Sequence, residues 1–506
     1  MKRFVTIVTL VLVSMTSCTS SQEVRFAGPS PNESFAFRVL ATGLVDPWEL
    51  IWGPDGFLWV TEKSGKRVVR VNPSDGSKTT VITIPDVYIS DRRQDGLLGM
   101  AFHPGFLVGV ENNYVYLAYT YNARRDDPVD PRAKIARYTY DPATKTLSHP
   151  VDLIAGLPAS NAHNAGRLLI GHDQRLYYST ADQENNQGEH FCNPIRAQDL
   201  PTADAVSARD WSTYVGKILR LNLDGSIPSD NPVISGVRSH VYSYGHRNPQ
   251  GLVFASGGRL FSSEHGPKSD DEVNLIQAGK NYGWPYVSGF KDDQSYVYAN
   301  WSASTTPPCP SLKYSDSVIP PSVPQRSETA WSSPDYVKPL KTLYTVPNGY
   351  NFQDPACGEP LYICWPSIAP SSIDFVPADN GGIASWHNSL LVTSLKNGSL
   401  YCLKLTQDGG SVRGDITQYF KTTNRYRDLA LSPDNRTVYI ATDSLAWPDP
   451  SPDPPPRVST IPERFWRSPS WAPSRPVTGH EPDCCIDKTQ VEHPPPVTSW
   501  FAGHRQ

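Results

Sequence analysis

Apolar and polar positions along the 506-residue chain alternate in short runs, broken every few residues by Gly, Pro, Asp and Asn. Runs of period two with turn residues between them predict β-strands. One unit recurs six times: an apolar strand, a turn, and a second strand that ends in polar residues. The copies are ELIWGPDGFLWVTE (49–62), GMAFHPGFLVGVENNYVYLAYT (99–120), RLLIGHDQRLYYSTAD (167–182), GLVFASGGRLFSSE (251–264), SIDFVPADNGGIASWHNSLLVTSLK (372–396) and DLALSPDNRTVYIATD (428–443). Further strands fit at 66–73, 134–141, 217–225 and 399–406. A small antiparallel unit repeated in this way predicts an all-β fold, a six-bladed β-propeller of four-stranded antiparallel blades over residues 35–444. An open array of β-sandwiches is the alternative.

A propeller makes a geometric claim. In an antiparallel hairpin the start of one strand and the end of the next lie on one edge. Residues just before each first strand and just after each second strand must then share a face. Before first strands lie Gln94, His163, Arg247-Asn248, the stretch from Tyr362 through Trp365 to Ser367, and Arg425 with Arg427. After second strands lie Asp182, Gly266-Pro267 and Lys396. Arg247, Lys396, Arg425 and Arg427 together suit a ligand with several carboxylates, because a guanidinium grips a carboxylate in a two-toothed fork. Any one of them alone reads as a surface salt bridge, and a lone His163 before a strand reads as structural.

Composition narrows the choice. A net charge of −4 with mixed signs gives no sign of a nucleic-acid partner, and 48 prolines and 25 tyrosines favour turns and strands over helices. Lys2-Arg3 precedes an apolar run, Phe4–Val13, too short to span a bilayer, so residues 1–18 read as an export signal. Met15-Thr16-Ser17-Cys18 loosely resembles a lipoprotein cleavage box; a lipid anchor on Cys18 and ordinary cleavage nearby stay open. The mature chain is expected in the periplasm or at the cell surface, where thiols oxidise. Of eight cysteines, Cys357 and Cys364 enclose a short loop and are the first disulfide candidates. Cys192 and Cys309 lie in loop-like stretches, and spacing leaves their pairing and that of Cys484 and Cys485 open. Cys402 alternates within a strand and reads as a buried thiol. Residues 447–506 contain the run PDPSPDPPP and read as a disordered tail, which leaves the last blade short of a strand. FAFRVLAT (35–42) is expected to join that blade.

The stretch 245–285 carries GHRNPQGL, then SE-x-GP-x-SDDE, then NYGWP. These motifs, within a likeness that runs from about Phe35 to Ser444, resemble the soluble quinoprotein glucose dehydrogenases. The resemblance implies a six-bladed propeller that uses pyrroloquinoline quinone and calcium. It implies that Lys396, Arg425, Arg427 and Ser367 bind the cofactor and that Arg247 and Asn248 lie over its quinone oxygens. Main-chain oxygens of Gly266 and Pro267 would hold calcium, a hard ion that prefers oxygen. His163 would be the general base, oriented by Asp182, with Gln94, Tyr362 and Trp365 around the sugar. A second, structural calcium would draw on Glu272, Tyr282, Ser288, Phe290, Asp292 and Glu328; an acidic surface loop is the plainer reading. The likeness also pairs Cys357 with Cys364. Four positions depart from the family: Ser367 replaces threonine, His265 glutamine, Ala162 aspartate and Asn164 glutamine.

The expected activity is oxidation of a pyranose at C1 to the lactone, with electrons returned to an external acceptor. A calcium-stabilised propeller that only binds sugars or proteins and a propeller lactonase are the alternatives. Neither needs Lys396, Arg425 and Arg427 together. The preferred sugar and whether the chain forms a homodimer stay open.

Overall fold

The computed structural model describes residues 26–30, 33–109, 111–124, 128–355, 362, 365–378, 381–443 and 457–462. Among these, strands dominate and form six sheets of four or five strands, with two small two-stranded ribbons beside them. The first sheet runs Pro47–Trp52, Leu58–Glu62, Arg67–Val71 and Lys78–Thr83 in simple order. The next three begin at Leu97–Phe102, Leu168–Ile170 and Pro249–Ala255, and the fifth at Pro370–Val376. The short strand Phe26–Ala27 adds to the outer edge of the fifth sheet, parallel to Ile416–Tyr419. The innermost strand of each sheet packs beside that of the next, in a closed circuit back to Pro47–Trp52. This is an all-β propeller.

Alternation explains how the sheets stack. Side chains on the two faces of each sheet meet those of its neighbours. Trp59, Tyr119, Tyr138 and Tyr140 fill the space between the first and second sheets. Aromatic side chains of this size bury about 150–250 Å² each, and the hydroxyls of Tyr119 and Tyr138 bond to each other at 3.1 Å. At the axis the packing is polar. Arg167 is 4% exposed at its side chain, pairs with Glu49 and Asp428, and donates to the carbonyls of Gln250 (2.8 Å) and Ser371 (3.1 Å). Those partners belong to the innermost strands of four different sheets, so one guanidinium pins the ring.

The last sheet corrects an expectation. Arg425–Leu431 and Thr437–Asp443 are followed by Arg457–Pro462, and Arg38–Thr42 completes the four. Thr437–Asp443 pairs with Arg457–Pro462 from Thr437↔Pro462 to Ala441↔Val458, and Arg457–Pro462 pairs in turn with Arg38–Thr42. The strand expected to be missing is therefore supplied from within the proline-rich tail. The reason is local composition. The proline run stops at Pro456, and Val458, Thr460 and Ile461 that follow are β-branched residues suited to a pleated sheet. FAFRVLAT joins this sheet as expected. The remainder of the tail, residues 1–18, Cys357 and Cys364 lie outside the described residues.

Cys192 and Cys309 form a disulfide across a sequence separation of 117. It ties the long connection after Asp271–Ile276 to the loops of the third sheet. Cys402 is a buried free thiol, as its strand pattern implied.

Candidate active site

Loops at one end of the ring enclose a cavity of about 500 Å³. Gln94, His163 and Arg247 line it, as do Gly266, Pro267, Tyr362, Trp365, Ser367 and Lys396. An adjoining space of about 230 Å³ shares Gln94 and His163 and adds Asn248, Arg425 and Arg427. Residues scattered over more than 300 positions are thus gathered at one place, as the strand-end rule requires.

His163 sits on a tight turn, with φ of 46° there and 51° at Ala165. Its Nδ1 lies 2.8 Å from Asp182 Oδ1. A carboxylate only accepts, so Nδ1 carries the proton and Nε2 is left as the basic nitrogen. Asp182 is fully buried and also accepts from Trp284 Nε1 (2.9 Å), Gln187 Nε2 (2.7 Å) and the Glu184 N–H (2.9 Å). Burial works to raise its carboxyl, but His163 and Arg247 outweigh it and hold the group below the usual carboxylate range. Gln187, which sequence reasoning missed, is the bridge: its Oε1 accepts from Arg247 Nε and Nη2 at 3.1 and 2.8 Å. The Arg247 guanidinium in turn lies over the Trp284 ring, 5.4 Å from its centroid. Gln94 Oε1 accepts the His163 N–H (3.2 Å), and Asn248 Oδ1 accepts that of Ala165 (3.1 Å).

Two of the cations share one anion. Arg425 Nε and Arg427 Nε both donate to one carboxylate, Asp443, at 3.1 and 2.7 Å. Arg427 Nη1 donates to Gln250 Oε1 at 2.7 Å. Lys63, also missed, is buried and lines the same space. Burial, with Asp443 opposing and Arg427 assisting, lowers its ammonium to about 8. Lys396 donates to the Trp365 carbonyl, and burial lowers it to about 8 against the pull of Asp271. Asp271 is the organiser of this side. Its carboxylate accepts from the Gly266 N–H (3.0 Å), Ser367 Oγ (2.8 Å), and the N–H groups of Ile368 (2.6 Å) and Ala369 (3.1 Å). It thereby joins the Gly-Pro turn to the loop that carries Ser367. The turn is too tight for a side chain at Gly266, where a Cβ would stand 1.8 Å from the Ser269 carbonyl. His265, beside it, has a buried Nε2 with no hydrogen-bond partner, and burial, then Arg247 and His163, keep its imidazole well below the usual histidine range.

Residues 44–325 and 341–446 match the family described as Glucose / Sorbosone dehydrogenase. The chain belongs to that family. It is 45% identical over 442 residues to quinoprotein glucose dehydrogenase B of Acinetobacter calcoaceticus, covering 87% of this chain and 91% of the relative. It is 32% identical to an aldose sugar dehydrogenase of Escherichia coli over 50% of this chain and 64% of the relative. Among solved structures, the PQQ-bound aldose sugar dehydrogenase of Streptomyces coelicolor shares the fold, with a TM-score of 0.58 and 24% identity over 86% of this chain and all of that one.

This glucose/sorbosone dehydrogenase family member has a second concentration of charge, of opposite sign. Glu328 accepts the N–H groups of Ser288 (2.9 Å), Asp292 (3.2 Å) and Asp293 (2.8 Å), and Glu272 accepts that of Gly289 (2.7 Å). Both carboxylates therefore hold one loop, 288–293. Burial raises Glu328 to about 8 and Asp292 above its usual range; burial and then Glu264 push Glu272 up. Tyr282 is buried with its hydroxyl donating to the Leu275 carbonyl (2.6 Å), and Phe290 lies under the Lys338 ammonium, 6.0 Å from it. The Tyr282 hydroxyl is thus committed to a carbonyl, and the Phe290 ring has no oxygen to offer. Among the described residues no three of His, Cys, Asp and Glu form a ready cage, so a cation here would draw on main-chain oxygen. No helix of the described residues is long and apolar enough to cross a membrane.

Proposed function

We propose that this chain is a quinoprotein aldose 1-dehydrogenase, a six-bladed propeller that oxidises a pyranose to its lactone and passes the electrons to an external acceptor. The observation that carries it is the excess of positive charge around an enclosed space that also presents a base: Arg247, Lys396, Arg425 and Arg427 beside His163. Such a space fits a planar polycarboxylate. Lys396, Arg425, Arg427 and Ser367 would hold the carboxylates of pyrroloquinoline quinone, with Arg247 and Asn248 donating to its other oxygens. Gly266 and Pro267 line the same cavity and would hold calcium through main-chain oxygen. When bound, the quinone, polarised by calcium, supplies the acceptor for the hydride that leaves C1.

The protein's own part is proton removal and orientation. His163 Nε2 takes the proton of the C1 hydroxyl as hydride departs. Asp182 keeps Nδ1 protonated and steadies the imidazolium that results. Gln187 bridges Asp182 and Arg247, so one amide fixes the carboxylate behind the base relative to the cofactor-facing cation. Tyr362, 41% exposed, and Trp365 wall the open side where a sugar would enter. Glu272, Asp292 and Glu328, with main-chain oxygens of Tyr282, Ser288 and Phe290, would hold a structural calcium. The Cys192–Cys309 disulfide and the N-terminal stretch support a place outside the cytoplasm.

The test is reconstitution. Purified protein supplied with pyrroloquinoline quinone, calcium, glucose and a dye acceptor should yield the lactone, followed by NMR, only when both additions are present. Absence of lactone from every aldose in a broad panel would contradict the proposal.

A further inference from the structure

Glu184 has no part in the proton transfer described above, yet the backbone is held in a costly shape to place it. Gln183, Glu184 and Asn186 have φ of 62°, 59° and 62°. Side-chain-bearing residues other than asparagine and aspartate avoid that region. The Glu184 N–H donates to Asp182 Oδ1, the oxygen that also faces His163. Gly188 leaves the slot its carboxylate occupies, since a Cβ there would come within 3.0 Å of Glu184 Cδ and 3.1 and 3.2 Å of its oxygens. Across the cavity, Arg92 Nη1 and Nη2 donate to Oε2 and Oε1 at 2.5 and 3.1 Å, with both side chains largely buried. Arg92 comes from the loop that carries Gln94, so the pair cross-links the loops on either side of His163.

The immediate neighbours of His163 bring no charge to the cavity. Ala162 is fully buried, and the Asn164 amide is committed to Ser160 and the Gln94 carbonyl. Glu184 lines the cavity within electrostatic reach of His163. Burial works to raise its carboxyl, but Arg92 and His163 outweigh it, so the group is an anion at neutral pH. An ionised carboxylate offers about four acceptor sites, and Arg92 takes two. The others are open to hydroxyl donors, whose bonds to a charged oxygen are stronger than neutral ones.

We propose that Glu184, held by Arg92, is a substrate-binding residue that accepts hydrogen bonds from ring hydroxyls of the sugar and so selects which aldoses present C1 to His163. The identity of the ligand rests on the aldose reading above; the placement of the carboxylate rests on geometry alone. A site built to bond a hydroxyl rejects analogues that lack it, because its own polar group is then left unpaired.

The test compares the wild-type protein with Glu184→Gln and Arg92→Gln. Glucose binding to the cofactor-free protein is followed by saturation-transfer NMR. Kinetics of the reconstituted enzyme use glucose and its 2-, 3-, 4- and 6-deoxy analogues, with melting temperature and quinone affinity as controls. Glu184→Gln should weaken glucose binding at least about tenfold, the worth of one charge-assisted hydrogen bond. It should raise KM more than it lowers kcat and erase the preference for glucose over at least one deoxy analogue, with the controls unmoved. Unchanged sugar affinity and unchanged discrimination in the folded variant would overturn the proposal. If Glu184→Gln does not fold, Arg92→Gln decides on the same readouts, since it unseats the carboxylate without removing it. A wild-type protein that binds glucose but oxidises no aldose would sink the functional reading and leave the sugar affinities to judge Glu184. A wild-type protein that binds no sugar and, once reconstituted, oxidises no aldose overturns both.

Discussion

Asp271 and Glu272 are neighbours in one strand, Asp271–Ile276, and their side chains leave on opposite faces. Asp271 joins the Gly266 turn to the Ser367 loop, two walls of the cation-lined cavity, and pulls on Lys396. Glu272 holds the 288–293 loop and faces the acidic cluster with Glu328. One strand thus divides two buried concentrations of charge. On one side lysines are lowered toward neutral pH; on the other carboxyls are raised. Both shifts arise chiefly from burial, which disfavours whichever charge a group carries. The lesson is that one charge outnumbers the other on each side: on the first, Asp443 is shared by Arg425 and Arg427 and leaves room for a polyanion, and on the second the carboxylates Glu272, Asp292 and Glu328 leave room for a divalent cation. The first should govern chemistry and the second stability.

The largest effect should separate chemistry from binding within the cavity. His163→Ala is expected to lower turnover by about 10²–10⁴, the usual reach of a general base, with quinone affinity nearly unchanged. Rapid-mixing kinetics with several aldoses provide the check, and a fall below about tenfold would point to another base. Next come the cations. Lys396→Ala or Arg427→Ala should cost roughly 1.5–3 kcal/mol of quinone affinity, about 10–150-fold, without lowering the melting temperature of the calcium-loaded protein. Calorimetric titration reads the first quantity and scanning calorimetry the second.

The acidic side should behave in the opposite way. Calcium at a hundredfold excess over its dissociation constant should stabilise the wild-type protein by about 2.7 kcal/mol. Glu328→Gln should shrink that thermal shift while leaving quinone affinity intact. A variant that lost quinone binding and kept its calcium response would break the comparison. The smallest effect is the pH dependence. Lys396 and Lys63 lose their charge as pH rises through about 8, so quinone affinity should decline above that pH, and Lys396→Met should flatten the curve. Stability moves the other way. The unfolded chain keeps these protons to about 10.4, so the contribution of this pair to folding rises with pH between the two values and is lost as pH falls to about 8. Affinity that rose through pH 8 would contradict the assignment of the cations.

The strand-end rule made much of this site legible. Inner strands are apolar and alternate cleanly, so their ends, and with them His163, Asp182, Arg247 and Lys396, stand out. Outer strands are another matter. Lys78–Thr83 is largely exposed and polar, leaving almost no pattern to read. Arg457–Pro462 was masked by the prolines just before it. Lys63 and Asp443 obey the same rule, following or ending second strands, but a lone charge there carries no signal until its partners are known. Gln187 and Asp271 act through several hydrogen bonds at once, and Cys192 finds its partner across 117 residues. Such roles are set by the fold and cannot be read from neighbours in sequence. The carbonyl ligands expected of Tyr282 and Phe290 are the extreme case, since backbone oxygen is common to every residue.

The central claim is that the cation-lined cavity is a quinone site completed by calcium. The most direct measurement is titration of cofactor-free protein with pyrroloquinoline quinone, in calcium and in chelator, followed by the quinone's absorbance. The account predicts saturation at one quinone per chain with a shifted spectrum in calcium, and much weaker binding in chelator. No saturable spectral change in calcium, from a protein whose melting curve shows it folded, would contradict it.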